Sequence, residues 1–340
     1  MNASTRRGRF DRRKFLGHTA TLGVASLLGV HHAASAEPPP EVSKIRLVHA
    51  PAICLSPQYV AEDLLRAEGF SQVEYVALET NTTASFIAAG HADMSMDATV
   101  ELIPVIDAGG KIVVLAGIHA GCYELFGNER VHAVRDLKGK RVAIGAENSA
   151  EHVYVSSIVA HVGINPRKDI DWVATKSSAH AMQAFVDGKA DAFLAFPPQP
   201  QELRASKVGK VILNTTLDRP WSQYFCCSLA AHSDFVTKNP VATKRALRAI
   251  LKAADICSED PQRAARLMRD RGYEPRYDIA LEVVKSLPYR RWREANPEDT
   301  LRFHALRLHE FGMIKTTPQK LIARGTDWRF LNELKRELKA

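Results

Sequence analysis

The tetrapeptide pattern Gly-x-Ala-Asp occurs twice in this chain, at residues 90–93 and 188–191, 98 residues apart. In both places an apolar segment typical of a helix end precedes the pattern, starting at Phe86 and at Phe185, and an apolar strand follows. The glycine can end a helix with a positive φ, and the small residue and the aspartate then lead into a buried strand. The repeat therefore predicts two lobes of similar architecture.

Short apolar runs alternate with helical segments through most of the chain, which is typical of parallel βαβ units. Helices are predicted after Ser56-Pro57 and after Asn148-Ser149, where capping residues precede helical patterns, and the chain from about Ser233 onward is predicted to be nearly all helical. We predict strands at residues 44–49, 73–78, 92–96, 136–145 (in part), 171–174, 191–196, 210–213 and 225–230. The last strand is expected to return the chain to the first lobe.

The first 36 residues have the composition of an export signal. Six basic residues precede an apolar stretch of about 16 residues, and the stretch ends in an Ala-x-Ala pattern at Ala36. The run from Asp11 to Gly17 resembles a twin-arginine signal. We therefore predict cleavage after Ala36 and a free protein in a bacterial periplasm, with an ordinary secretory leader or an uncleaved anchor as alternatives.

The net charge of +8 comes largely from this leader. The whole chain has 46 basic and 38 acidic residues; without the leader's six bases and one acid, Asp11, the counts become 40 and 37. A nearly neutral mature chain lacks the excess of positive charge that nucleic-acid binding requires. We expect no nucleic-acid partner.

The sequence contains none of the common catalytic signatures for phosphate loops, dinucleotide sites, zinc proteases or serine hydrolases. Its five cysteines have no C-x-x-C spacing, and His49, His119 and Cys122 are interpreted as ordinary loop or core residues. Asp97 with Glu101 is interpreted as a helix cap and a surface charge rather than as a catalytic acid pair. The chain is accordingly predicted not to be an enzyme and to hold no cofactor and no metal.

Taken together, several segments between Ile45 and Gly272 resemble one family of proteins. They are the opening strand with its Ser56-Pro57 helix, the two Gly-x-Ala-Asp segments, residues 111–117 and residues 136–140. This arrangement resembles periplasmic solute-binding proteins of the SsuA/NMT1/THI5-like group, which serve importers of nitrate, sulfonates, taurine and thiamine precursors. The resemblance implies an α/β type II periplasmic binding protein fold, with two α/β lobes, a ligand cleft and a hinge.

The same resemblance implies the domain organisation. The first lobe would comprise residues 37–130 and 225–340, the second lobe residues 131–224, and the hinge crossings would lie near residues 119–134 and 221–225. The implied function is that of a monomeric substrate-binding component of an ABC importer, with a permease and its ATPase as partners. The alternatives are a THI5-like pyrimidine-precursor enzyme, with His119 or Cys122 in the chemistry, and a periplasmic sensor.

In such folds the ligand lies at the carboxyl ends of the strands, where helix N-termini present free N–H groups. No Arg or Lys lies in the loops selected on this basis, so an anion would find no charge-assisted hydrogen bond there. His119, Asp97 and Glu124 would suit a pyrimidine-like heterocycle. Helix N-termini would suit a sulfonate, nitrate or taurine-like anion. The sequence leaves these two ligand classes open. The candidate ligand-binding residues are Cys54, Leu55, Ser56, Thr82, Thr83, Asp97, Ala98, His119, Tyr123, Asn148, Ser149, Phe196 and Gln223.

Overall fold

The computed structural model describes residues 37–50, 52–78 and 82–339. The predicted leader and its cleavage site after Ala36 lie outside these residues. Within the described residues, ten strands form two sheets of five strands each. No helix in this part of the chain is long and apolar enough to cross a membrane.

The first sheet contains the opening strands and the return strand. Numbered in chain order, its strands are β1 (Lys44–His49), β2 (Gln72–Ala77), β3 (Met94–Ala98), β4 (Ile112–Ala120) and β10 (Phe225–His232). Their order across the sheet is β2-β1-β3-β10-β4. Strand β1 is parallel to β2 and β3, whereas β10 is antiparallel to β3 and β4. The predicted return of the chain to the first sheet through β10 is confirmed.

The second sheet is built from the middle of the chain. Its strands are β5 (Glu124–Gly127), β6 (Arg141–Ile144), β7 (Asp171–Ala174), β8 (Ala192–Ala195) and β9 (Lys210–Asn214). Their order is β7-β6-β8-β5-β9, with β6 parallel to β7 and β8, and β5 antiparallel to β8 and β9. The order β7-β6-β8 thus repeats the order β2-β1-β3 of the first sheet.

The aspartates of the two Gly-x-Ala-Asp copies make matching contacts in the two sheets. Asp93 accepts hydrogen bonds from the backbone N–H of Arg46 at 2.8 Å and from its guanidinium at 2.7 Å. Asp191 accepts from the backbone N–H of Arg141 at 3.1 Å and from its guanidinium at 3.3 Å. Because Arg46 lies in β1 and Arg141 in β6, each aspartate holds the first half of the central parallel strand of its sheet.

The chain crosses between the sheets twice, and the two crossings lie side by side. The outward crossing runs from Ala120 to Glu124 and the return from Asn214 to Phe225. They are joined by hydrogen bonds such as that from the backbone N–H of Tyr123 to Oγ1 of Thr215, at 3.0 Å. Strand β5 belongs to the second sheet, so the first crossing ends before residue 124, earlier than the lobe boundary predicted at residue 130.

Fourteen α-helices cover the sheets within the described residues. The helix predicted from Ser56 to about Glu68 is divided at Ala61, and Ser233 begins the predicted helical C-terminal region. The helices are α1 (Ser56–Val60), α2 (Glu62–Ala67), α3 (Thr83–Ala88), α4 (Thr99–Asp107), α5 (Ala150–His161), α6 (Ser178–Val186), α7 (Gln199–Ser206), α8 (Ser233–Lys238), α9 (Pro240–Glu259), α10 (Pro261–Asp270), α11 (Tyr277–Ser286), α12 (Pro297–Glu310), α13 (Pro318–Gly325) and α14 (Arg329–Glu337).

Most buried apolar side chains form one cluster that includes both sheets and the C-terminal helices, and a smaller cluster around Phe126, Phe185 and Phe193 lies in the second half. Helix α9 packs on α1, α2 and β4. The buried Tyr289 donates its hydroxyl to the carbonyl of Cys54 at 3.1 Å. The C-terminal region therefore holds in place the loop that follows β1, which is part of the site described next.

Candidate functional site

A cavity of about 280 Å³ opens where the ends of the strands of both sheets meet. Its walls come from the segments that follow β1, β2, β3, β6, β7 and β8, together with the outward crossing and β10. This is the edge at which open α/β sheets bind ligands, because the loops after parallel strands converge there. The cavity is lined by Ala50, Ala52, Cys54, Leu55, Leu78, Thr82, Thr83, Asp97, Ala98, Glu101, Tyr123, Gly145, Ala146, Ser149, Ala150, Glu151, Lys176, Ser177, Ser178, Phe196 and Cys227.

Three of the helices that begin at this cavity have a hydroxyl residue as their N-cap. Thr82 caps α3 by accepting the N–H of Ser85 at 3.2 Å, and Ser149 caps α5 by accepting the N–H of His152 at 3.5 Å. Ser177 caps α6 in the same way. The capping side chains accept hydrogen bonds from N–H groups of their own helices. Any hydrogen bond to a ligand would be made in addition to the capping hydrogen bond.

Three carboxylates lie in the cavity wall although all three are almost fully buried. Asp97, Glu101 and Glu151 are 6%, 7% and 3% exposed. Oδ2 of Asp97 and Oε1 of Glu101 have no hydrogen-bond partner among the described residues. A buried carboxylate oxygen without a partner loses its hydration without compensation, so these two oxygens are available to a hydrogen-bond donor in the cavity.

The protonation of this cluster differs from that of surface acids. Burial, and then the charge of Glu151, raise the pKa of Glu101 to about 8, although the N–H groups of Ala84, Thr83 and Ala150 act in the opposite direction. Burial and the neighbouring Glu101 raise the pKa of Asp97 well above its usual range. Asp97 and Glu101 therefore hold protons at neutral pH, and a cationic ligand would displace them.

Aromatic rings form another part of the cavity wall. Tyr123 packs edge-on against Tyr154 and Phe196, with ring centroids 5.3 Å and 5.9 Å apart. Phe196 is only half-buried and follows β8 directly, so part of its ring faces the cavity. Burial raises the pKa of Tyr123 well above its usual range, and its hydroxyl therefore remains protonated. An apolar wall with a few polar groups is the usual composition of a small-molecule site.

Nine of the thirteen residues predicted from the sequence line the cavity. The strand-end rule selected residues of one cavity because the predicted strands end within about two residues of the observed ones. That these residues contact a ligand stays a prediction. They are Cys54, Leu55, Thr82, Thr83, Asp97, Ala98, Tyr123, Ser149 and Phe196.

The other four lie elsewhere. Ser56 is fully buried and donates its hydroxyl to the carbonyl of Ile53 at 2.6 Å, and His119 is fully buried away from the cavity surface. Asn148, in the left-handed region at φ 61°, lines a neighbouring depression. Gln223 lies with Tyr224 in a different surface groove.

The sequence interpretation missed several residues of the cavity. Glu101 was expected to be a surface charge and Asp97 a helix cap; both are buried acids of the cavity wall, which corrects that interpretation. Asp97 lies at the end of β3 and Glu101 in the first turn of α4, so neither strand nor helix periodicity marked the pair in the sequence. Lys176, an exposed residue after β7, also lines the cavity. It lies outside the loops that were selected from the sequence, which contain no lysine or arginine.

At the cavity wall, which Cys54 and Cys227 line, these two residues lie close to His119 and Cys122, and all four are buried. These are the described residues whose side chains could hold a metal ion as a group. All five cysteines of the chain are free thiols in this structure.

Comparison with known proteins shows which of them this chain is similar to. A family model described as the NMT1-like family matches residues 65–269. The 4-amino-5-hydroxymethyl-2-methylpyrimidine phosphate synthase THI12 of Saccharomyces cerevisiae is 24% identical over 192 residues, which are 52% of this chain and 55% of that protein. The bicarbonate-binding protein CmpA of Synechococcus is 28% identical over 142 residues, 41% of this chain and 30% of that protein. The chain thus spans about half the length or less of the curated relatives it matches.

Two solved structures illustrate the likeness of fold. The periplasmic nitrate-binding protein NrtA from Synechocystis PCC 6803 has a TM-score of 0.76 at 15% identity, covering 89% of this chain and 90% of that one. The alkanesulfonate-binding protein SsuA from Xanthomonas axonopodis pv. citri, bound to MOPS, has a TM-score of 0.68 at 17% identity, covering 86% and 100%. The predicted periplasmic binding protein fold is confirmed.

Proposed function

This chain belongs to the NMT1-like family, and we propose that it is the substrate-binding component of an ABC importer, holding a small solute between its two sheets. The observation that carries this proposal is the cavity itself: it receives residues from the strand ends of both halves. Its volume of about 280 Å³ suits a single small solute.

The two crossings supply the motion that such a function needs. Within the described part of the chain, two segments, residues 121–123 and 215–224, connect the strands of one sheet to those of the other. Rotation about paired crossings closes a cleft over its ligand, and a ligand that contacts both halves favours the closed form. An importer could then distinguish loaded from empty protein by shape.

The chemistry of the cavity favours one of the two ligand classes left open by the sequence. A sulfonate or nitrate ion would lie beside the charge of Glu151 and would keep Asp97 and Glu101 from ionising. Lys176 is the basic side chain of the cavity wall that would act in the opposite direction. A pyrimidine-like heterocycle with amino groups would donate hydrogen bonds to Asp97 and Glu101 and pack against Phe196. We therefore propose a basic or amino-substituted heterocycle as the ligand.

The location and the partners follow from the function and the leader. We propose that the chain is exported by a twin-arginine signal, which is cleaved after Ala36, and that it acts as a monomer in the periplasm. There it would deliver its ligand to a permease with its ATPase. A periplasmic receptor in place of the permease would make it a sensor with the same cleft.

The second candidate function is an enzyme that makes a pyrimidine precursor. It is favoured by the names of the curated relatives from yeast, which are pyrimidine phosphate synthases. The two functions differ in the fate of the ligand, which a transport protein returns unchanged and an enzyme consumes.

A thermal-shift screen of residues 37–340 tests the proposal, because a ligand that binds only the folded chain raises Tm. The panel comprises aminopyrimidines, sulfonates, nitrate, taurine, bicarbonate and small carboxylates. We expect a saturable rise with an aminopyrimidine and none with the anions; a rise with an anion alone would refute the ligand class, and no rise with any compound would count against the transport function.

Two matched variants check that a positive signal arises in the cavity. Ala146→Trp places a large ring at the cavity wall and should abolish the shift. Ala174→Trp adds the same ring at an exposed position at the end of β7, outside the cavity, and should leave the shift unchanged. Equal shifts in both variants would place the ligand elsewhere.

A further inference from the structure

Four side chains of metal-ligating types, from three separate parts of the chain, meet at the wall of the cavity. One donor atom each of Cys54, His119, Cys122 and Cys227 lies within 4.8 Å of the others. Their exposed fractions are 3%, 0%, 5% and 2%. Cys54 follows β1, His119 and Cys122 flank the start of the outward crossing, and Cys227 lies in β10.

The imidazole of His119 is oriented as a metal ligand would be. Its Nδ1 lies 3.3 Å from the carbonyl oxygen of Ala120, and since a carbonyl can only accept, Nδ1 carries the proton. In the neutral form that a metal ligand requires, the lone pair is then on Nε2, which is buried and has no hydrogen-bond partner among the described residues. Metal-ligating histidines commonly show this arrangement, with the second nitrogen donating to a carbonyl group.

The backbone at Cys122 adds a second sign of specialisation. Cys122 has a φ of 119°, in a region that residues other than glycine rarely adopt. Its N–H donates to Oγ1 of Thr216 at 3.1 Å, which holds this conformation. Strained conformations of this kind persist where surrounding structure enforces them, and they concentrate at functional sites. Here the strained residue supplies one of the four donor atoms.

We propose that Cys54, His119, Cys122 and Cys227 form a four-coordinate S₃N site for a thiophilic divalent cation, with Zn²⁺ as the ion that suits this set best. In a tetrahedral zinc site with Zn–S bonds of about 2.3 Å, the sulfur atoms are about 3.8 Å apart, so the donors need to approach one another by about 1 Å at most. On binding, the three thiols release their protons to solvent and the thiolates coordinate the ion.

The site would be structural, because four protein ligands leave a tetrahedral zinc ion without an open position. It would join the loop after β1, the outward crossing and the return strand at the wall of the cavity. The proposal does not depend on the identity of the ligand or on the transport function, and a metal-free result would leave both untouched.

Cys226 is the competing partner in this cluster. Its sulfur lies 2.8 Å from the Cys122 sulfur and 3.8 Å from that of Cys227. A disulfide between Cys122 and Cys226 would remove one ligand from the site. The test therefore has to separate a metal site from a disulfide.

The experiment uses residues 37–340, reduced, stripped of metal and titrated anaerobically with Co²⁺, whose spectrum reports thiolate ligation and tetrahedral geometry. We expect a thiolate-to-cobalt charge-transfer band and intense visible bands that saturate at one ion per chain and vanish when Zn²⁺ is added. Absence of these bands in the wild-type chain would overturn the proposal, whatever the variants do.

Variants assign the ligands. Cys54→Ser and Cys122→Ser should lose the saturating bands, while Cys226→Ser should retain them. Cys257→Ser, a buried cysteine of α9 outside the cluster, is the matched control and should also retain them. Retained bands in Cys122→Ser, lost bands in Cys226→Ser, or a Cys122–Cys226 disulfide in the native, metal-free protein would each refute this ligand set.

Discussion

Replacement of Glu101 by glutamine tests the buried acid cluster most sharply. The side chain is 7% exposed, and burial with the charge of Glu151 raises its pKa from 4.5 to about 8. Glutamine has nearly the same shape as the protonated acid but cannot ionise. Glu101→Gln should therefore leave the fold intact and remove the part of the pH dependence of the free energy of unfolding that Glu101 causes.

The sign and size of the pH dependence of stability due to Glu101 follow from proton linkage. The folded chain keeps a proton on Glu101 up to about pH 8, whereas the unfolded chain releases it near pH 4.5. The stabilisation due to this proton is fully present below pH 4.5 and is lost as the pH rises to 8. At about 1.4 kcal/mol for each tenfold change in proton affinity, the loss reaches at most about 5 kcal/mol.

Urea denaturation of the ligand-free protein at pH 5 and pH 8.5 measures this loss. The free energy of unfolding of the wild-type chain should fall over this interval by about 2–5 kcal/mol more than that of Glu101→Gln. Glu310→Gln, an exposed glutamate at the end of α12, is the control and should follow the wild type. Equal pH dependence in wild type and Glu101→Gln would show that Glu101 is ionised in the folded chain and would refute the reasoning.

Three further predictions concern single contacts. Asp191→Asn should destabilise the fold by about 2 kcal/mol at pH 7 in urea denaturation. Burial alone would raise the pKa of Asp191, but hydrogen bonds from Arg141 and Asn128 lower it. The loss of stability in the variant should therefore shrink as the pH falls below 3.8. Gly117→Ala should cost about 1–3 kcal/mol in the same assay, because its Cβ would lie 2.3 Å from the ring of Phe225; an unchanged Tm would show that the ring moves freely. Ser149→Ala should lose the cap of α5, about 1 kcal/mol, and also weaken ligand binding in calorimetry; weaker binding without loss of stability would assign the hydroxyl to the ligand alone.

The fold was largely predictable because its signals are local. The Gly-x-Ala-Asp repeat identified two matching halves, and the contacts of Asp93 and Asp191 give the physical reason for the repeat. Strand β5 was missed because its four residues have little periodicity and its partners, β8 and β9, lie more than sixty residues further along the chain.

The site was predictable in outline and not in its chemistry. Rules for strand ends and helix caps selected Thr82 and Ser149, which line the cavity, but also Ser56, whose hydroxyl binds the carbonyl of Ile53. No local pattern distinguishes these serines and threonines. Burial of Glu101, and the meeting of Cys54 with Cys227, depend on elements far apart in the sequence, and only the folded chain shows them.

The most direct test of the central claim is to follow the ligand itself. Residues 37–340 are incubated with the heterocycle that gives the largest thermal shift, the complex is isolated, and the small molecule is released and identified by mass spectrometry. The account predicts about one molecule bound per chain, recovered chemically unchanged after prolonged incubation. A released compound of altered mass, or a stoichiometry of zero, would contradict it.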